Sequence, residues 1–168
     1  MTAHAAPDSG GRLTLERTGP FVPPITFPGI SDIIVTDALR RALEEANLDL
    51  PGFREVVKMR IVKLSWEDWD LSADEPERYP AGGEPEAYVL GTKHDPQVST
   101  GLGDLWELLV VEKPGLQLPG RRVDKNLYAG ETIVRASRWG CVYVAQVLRD
   151  WLEDHVSDWV SFEPATFA

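Results

Sequence analysis

The stretch that decides the fold is Ile33-Ile34-Val35-Thr36-Asp37-Ala38-Leu39-Arg40-Arg41-Ala42-Leu43-Glu44-Glu45. Ile33 to Val35 reads as a buried strand. Thr36 is placed to cap a helix, and Asp37 to favour the helix's positive end. Leu39, Leu43 and Ala46 share one face at i, i+4 and i+7, so the helix is expected to run to about Asn47. Arg40–Glu44 and Arg41–Glu45 form i, i+4 pairs on the outer side. Pro51-Gly52 ends the pattern, and Phe53 to Trp66 reads as one long strand.

The unit recurs at a constant offset of 109. Val35 matches Val144, Leu39 matches Leu148, Arg40 matches Arg149 and Leu43 matches Leu152. Glu44 matches Glu153, Asp49 matches Asp158 and Phe53 matches Phe162. The two copies, about 32–56 and 141–165, predict a strand-helix-strand unit used twice. The second helix is expected over Gln146 to His155, with Leu148, Leu152 and His155 on one face, and a last strand over Trp159 to Phe162. Two copies do not make a solenoid, which needs three or more.

Met1 to Gly11 is rich in Ala, Ser, Gly and Pro and is expected to be a disordered tail. Arg12 to Glu16 alternates as a short strand does. Pro20, Pro23, Pro24 and Pro28 exclude a helix over Gly19 to Ile30 and predict an extended arm packed on the core. Leu71 to Glu86 and Lys93 to Gly103 read as loops, with a short strand at Tyr88 to Leu90. Asp104 to Glu112 fits a buried strand or a short helix, and Thr132 to Val144 fits one or two strands. The fold class expected is α+β: a central, mostly antiparallel sheet and two amphipathic helices, forming a single domain over 12–168.

The chain has 168 residues, 17 Lys plus Arg against 27 Asp plus Glu, and a net charge of −10. That balance argues against direct non-specific binding of nucleic acid and against an anionic membrane surface. No stretch approaches the ~20 apolar residues of a membrane helix, and no signal-peptide pattern opens the chain. The expected location is cytoplasmic. The single cysteine, Cys141, excludes an internal disulfide and a Cys-rich zinc site. Set between Gly140 and Val142, it reads as a buried, inert thiol.

GxSxG, Walker A, HExxH and full GxGxxG patterns are all absent. His155 fits the negative end of its helix. His94-Asp95 offers a general base only if an acid joins it across a pocket. Asp68 and Asp70 resemble a two-residue metal motif. An EF-hand from Asp68 fails, because Ala73 and Tyr79 occupy its glycine and bidentate glutamate positions. No cofactor or metal is implied.

Charge is concentrated in two runs. Residues 66–86 sum to −7 and residues 150–163 to −5, leaving +2 for the rest of the chain. The first run brings Glu67, Asp68, Asp70, Asp74, Glu75 and Glu77 together with Trp66, Trp69 and Tyr79. Carboxylates around aromatics suit a basic protein partner, the aromatics anchoring and the charges steering. Two placements stay open for Trp66 and Trp69: anchors for a partner, or core residues. The second run lies partly on the outer face of the repeated helix and reads as solubilising.

The two phrases Ile34-Val35-Thr36 … Gly52-Phe53-Arg54-Glu55-Val56 and Tyr143-Val144 … Val160-Ser161-Phe162-Glu163-Pro164 carry a resemblance. They are similar to a phrase of the bacterial immunity protein family eleven, found beside polymorphic toxins: a strand ending in Val-Ser, an amphipathic helix, then a Phe-x-Pro segment. The usual Ser is Thr36 in one copy and Ala145 in the other. The resemblance covers about 45 residues. It implies a protein that binds a cognate toxin and occludes its active site, and no catalytic residues. The other readings are an acidic regulatory or nucleic-acid-mimic protein, a hydrolase using loop carboxylates and His94, and a small-molecule module around Trp106 or Trp139.

Overall fold

The computed structural model describes residues 3–29, 32–64, 85–120, 122–137 and 140–168. The fold is α+β. Along the chain run β1 (Ala3–Pro7), β2 (Leu13–Gly19), β3 (Ile25–Thr26), β4 (Ile34–Thr36), α1 (Asp37–Glu45), β5 (Phe53–Glu55), β6 (Val57–Lys63), α2 (Pro85–Gly91), α3 (Pro96–Gly101), β7 (Leu105–Leu108), β8 (Val111–Glu112), β9 (Gln117–Leu118), β10 (Arg122–Val123), β11 (Ile133–Arg135), β12 (Val142–Val144) and α4 (Gln146–Val156). Among the described residues pairing is mostly antiparallel and is distributed over four sheets, not gathered in one. The chain forms two compact units, within residues 1–22 with 56–104 and within 23–55 with 105–168.

In the first unit β2 lies between β1 and β6, antiparallel to β1 and parallel to β6. Residues 3–7, expected in a disordered tail, are therefore a paired strand. The reason is the turn at Asp8. Its carboxylate accepts from the N–H groups of Gly10 (2.8 Å) and Arg12 (2.9 Å), folding the chain back on itself. These bonds, led by that to Arg12, hold the Asp8 carboxyl below its usual range. On β2, Arg17 is buried, and its guanidinium donates to the carbonyls of Thr18 and Phe21, both at 3.0 Å.

Two segments here depart from the sequence reading. Tyr88 to Leu90 is part of helix α2, not a strand. The expected loop at 93–103 contains α3, with Asp95 as its cap and Pro96 in its first turn. Proline suits that position, because a first-turn N–H has no helical partner anyway.

The second unit holds both copies of the repeat. Thr36 and Ala145, 109 apart, are the N-cap residues of α1 and α4, with φ/ψ of −70/159° and −65/154°. Leu39 and Leu43, with Leu148, Leu152 and Val156, enter one buried cluster together with Val35, Leu108 and Ile133. The third buried position of α4 is thus Val156; His155, expected on that face, is exposed. Arg40 pairs with Glu44 as expected (2.7 Å), whereas Arg41 turns back to Asp37 (2.8 Å) instead of pairing with Glu45.

What recurs in both copies is a hairpin followed by a helix; the expected strand-helix-strand unit is complete in the first copy, as β4-α1-β5, and lacks its last strand in the second. β3 pairs antiparallel with β4, and β11 with β12. In each copy the N-cap N–H donates across the hairpin: Thr36 to the Pro24 carbonyl (3.0 Å) and Ala145 to the Thr132 carbonyl (2.9 Å). The continuations after the helices differ. In the first copy β5 returns to flank β7, giving the order β3-β4-β7-β5. In the second, Ser157–Trp159 form a 3-10 turn, and the strand expected over Trp159 to Phe162 is absent: residues 160–165 join no ladder among the described residues. The long strand expected over Phe53 to Trp66 is also divided: Val56 is buried between β5 and β6, which belong to different sheets.

Candidate functional site

A groove of about 610 Å³ opens in the second unit. It is lined by β12 with the flanking Cys141 and Ala145, by the segment from Ser161 to Ala165, and by Val123, Tyr128 and Phe167. β12 is an edge strand, since among the described residues only β11 pairs with it. Antiparallel ladders alternate the direction of their backbone groups. Because the Ala145 N–H is bonded towards β11, those of Val142 and Val144 point the other way. Arg149, on the first turn of α4, lines the groove and donates from Nε to Asp150 (2.9 Å). Cys141, expected to be buried, is half-buried at the groove, and its N–H donates to Gln117 Oε1 (3.0 Å).

The first copy has a corresponding but smaller cleft of about 280 Å³, lined by Arg40, Leu43, Phe53 and Trp106. There β7 occupies the position between β4 and β5. Arg40 lies with its guanidinium carbon 4.4 Å above the Trp106 ring. Hydrogen bonds from Arg40, with Arg41 close by, hold the Asp37 carboxyl below its usual range. Trp106 thus lies under an arginine at the edge of that cleft; Trp139 lies outside the described residues.

Next to the groove, α4 presents an acidic face. Asp150, Glu153, Asp154 and Asp158 are all exposed, on the side away from Leu148, Leu152 and Val156. Two indoles accompany them. Trp151 is half-buried and stacks on His155, with ring centroids 3.9 Å apart and planes 10° apart. Trp159 is 40% exposed. Carboxylates together with aromatics were the pattern expected of 66–79; here the same residue types occur on α4 and the 3-10 turn after it, a run read from the sequence as solubilising.

The residues proposed from the sequence for partner binding (Trp66, Glu67, Asp68, Trp69, Asp70, Asp74, Glu75, Glu77 and Tyr79) lie outside the described residues. Among the described residues, the contacts of His94 are with β6. Its Nδ1 accepts the Ile61 N–H (3.0 Å), and the Asp95 N–H donates to the Ile61 carbonyl (2.7 Å), so the pair docks on β6. The Asp95 carboxylate is used in capping α3. No three metal-ligating side chains come together among the described residues, and no described helix is long and apolar enough to cross a membrane.

Comparison with protein-family models, with curated proteins and with solved structures finds no match.

Proposed function

We propose that this chain is an immunity-type binding protein: it docks on a basic partner, a cognate bacterial toxin in this reading, and occludes its active site. The observation that supports it is that α4 and the 3-10 turn after it carry four exposed carboxylates, Asp150, Glu153, Asp154 and Asp158, in the same segment as the 40% exposed Trp159 and the half-buried Trp151, which also packs on the core. Aromatic anchors supply contact area, while the carboxylates attract a basic surface and speed encounter. The run at 66–79 is assigned the same role on its sequence. A net charge of −10 suits such a partner and disfavours direct contact with nucleic acid. The site of action in this reading is the cytoplasm.

The test is co-expression with the product of the adjacent upstream reading frame. Growth arrested by that product and restored by this chain supports the proposal. Restoration should weaken when Asp150, Asp154 and Asp158 become Asn and Glu153 becomes Gln. A neighbour that is harmless, or restoration indifferent to these changes, counts against it.

A further inference from the structure

The two copies of the repeat differ in one respect that defines a ligand. In the first, β7 lies between β4 and β5, antiparallel to both. Val35 is opposite Trp106, and Arg54 is opposite Glu107. The Ile33 carbonyl accepts from the Leu108 N–H (2.9 Å), and the Gly52 carbonyl from the Leu109 N–H (3.0 Å). Shifted by 109, these four positions are Val144, Glu163, Val142 and Ser161, and all four line the groove. The groove therefore has on its walls, by the offset of 109, the sequence counterparts of the residues that hold β7, those of β12 in a strand and those at 161–163 outside any ladder.

We infer that the groove receives an extended segment of a partner protein, which adds to the edge of β12 as β7 adds to β4. This deepens the reading of the chain as a protein-binding module and rests on it. Strand addition draws its affinity from main-chain hydrogen bonds and its specificity from alternate side chains. Both contributions can be read from the first copy.

Arg149 keeps the position of Arg40, so the incoming residue opposite Val144 is aromatic, as Trp106 is. At the next position the charge is reversed. Arg54, which donates twice to Glu107, is replaced by Glu163. The residue opposite Glu163 is then Lys or Arg. The segment reads apolar-aromatic-basic-apolar, in keeping with a basic partner.

Pro164 fits the same geometry. Its counterpart Glu55 alternates with Arg54, and the Gly52–Leu109 bond sets Arg54 as the residue whose backbone groups face β7. When residues 161–165 take up the alternation of β5 on pairing, the missing N–H of Pro164 falls on the far side, where proline blocks further pairing. A second copy of this chain offering its own β7 would bring Glu107 against Glu163, a like-charge contact that disfavours self-pairing.

The experiment uses the full chain and two synthetic peptides of residues 103–110, one unchanged and one with Glu107→Lys. Backbone amide resonances and fluorescence anisotropy are followed. The Lys peptide is expected to shift the Val142 and Val144 amides and to bind about fivefold tighter than the unchanged peptide. In Glu163→Arg the preference should reverse. No shift at millimolar peptide, a preference unaltered by Glu163→Arg, or concentration-dependent dimerisation without peptide overturns the inference. Binding of the Lys peptide at β12 without any toxin neutralisation would sustain strand addition and remove the immunity reading. Toxin binding that leaves the β12 amides unmoved would do the reverse.

Discussion

Arg54 donates two hydrogen bonds, at 2.9 and 2.8 Å, to a single carboxylate oxygen of Glu107 directly across the β5–β7 ladder. The Glu107 side chain is 11% exposed and that of Arg54 40%. Arg54→Glu would set two carboxylates against each other in a partly buried position and should lower stability by about 2 kcal/mol. Adding Glu107→Arg should recover most of that loss. Chemical denaturation of the two single variants and the double variant checks it. A double variant no better than Arg54→Glu would show that the pair is not coupled.

The helix caps of the two copies differ by one hydroxyl. Thr36 Oγ1 accepts from the Leu39 N–H at 3.4 Å, while Ala145 has no side-chain acceptor to offer α4, only its carbonyl. Thr36→Ala should cost about 0.5–1 kcal/mol, and Ala145→Ser should stabilise by a similar amount. Thermal melts of both variants read the two effects with opposite signs.

Asp37 gives stability an acid-side dependence. Hydrogen bonding from Arg40 lowers its pKa below the model-compound 3.8. Its contribution is complete above that value and is lost as pH falls towards the folded pKa. The melting temperature should therefore decline below about pH 4, and less steeply in Asp37→Asn. An identical slope in the variant would contradict the assignment.

Two glycines separate crowding from conformational freedom. A Cβ on Gly19 would lie 2.6 Å from Val98 Cγ1, whereas at Gly101, the last residue of α3, nothing lies within 4 Å. Gly19→Ala should destabilise by about 1–3 kcal/mol. Gly101→Ala should be neutral or stabilise by up to about 1 kcal/mol.

What was legible in the sequence was local and periodic. Thr36 as cap, Leu39 and Leu43 as a buried face, and the register of the second copy follow from spacing alone. Asp95-Pro96 and Asp8-Ser9-Gly10 were equally local signals, a helix start and a turn, but glycine and proline around them favoured loops. What could not be read was pairing between distant segments. Nothing in Phe53 to Lys63 states that the chain changes sheets at Val56. Nothing in Leu105 to Leu108 says that it enters between β4 and β5 and leaves no equivalent in the second copy. The groove is a product of that asymmetry. Its sequence trace was present, in Arg54 and Glu163 at equivalent positions with opposite charge, but it has meaning only once β7 is in place.

The central claim is that a basic protein docks through the acidic, aromatic face of α4, with the run at 66–79 in support. The most direct measurement is the association kinetics of this chain with the adjacent reading frame's product at ~50 and ~300 mM salt, where screening differs strongly. The wild type should associate at least about tenfold faster at low salt. Neutralising Asp150, Glu153, Asp154 and Asp158, or Asp68, Asp70, Glu75 and Glu77, should chiefly slow association, and Trp159→Ala should chiefly speed dissociation. Absence of a complex, or a complex whose rates ignore both salt and these residues, would contradict it.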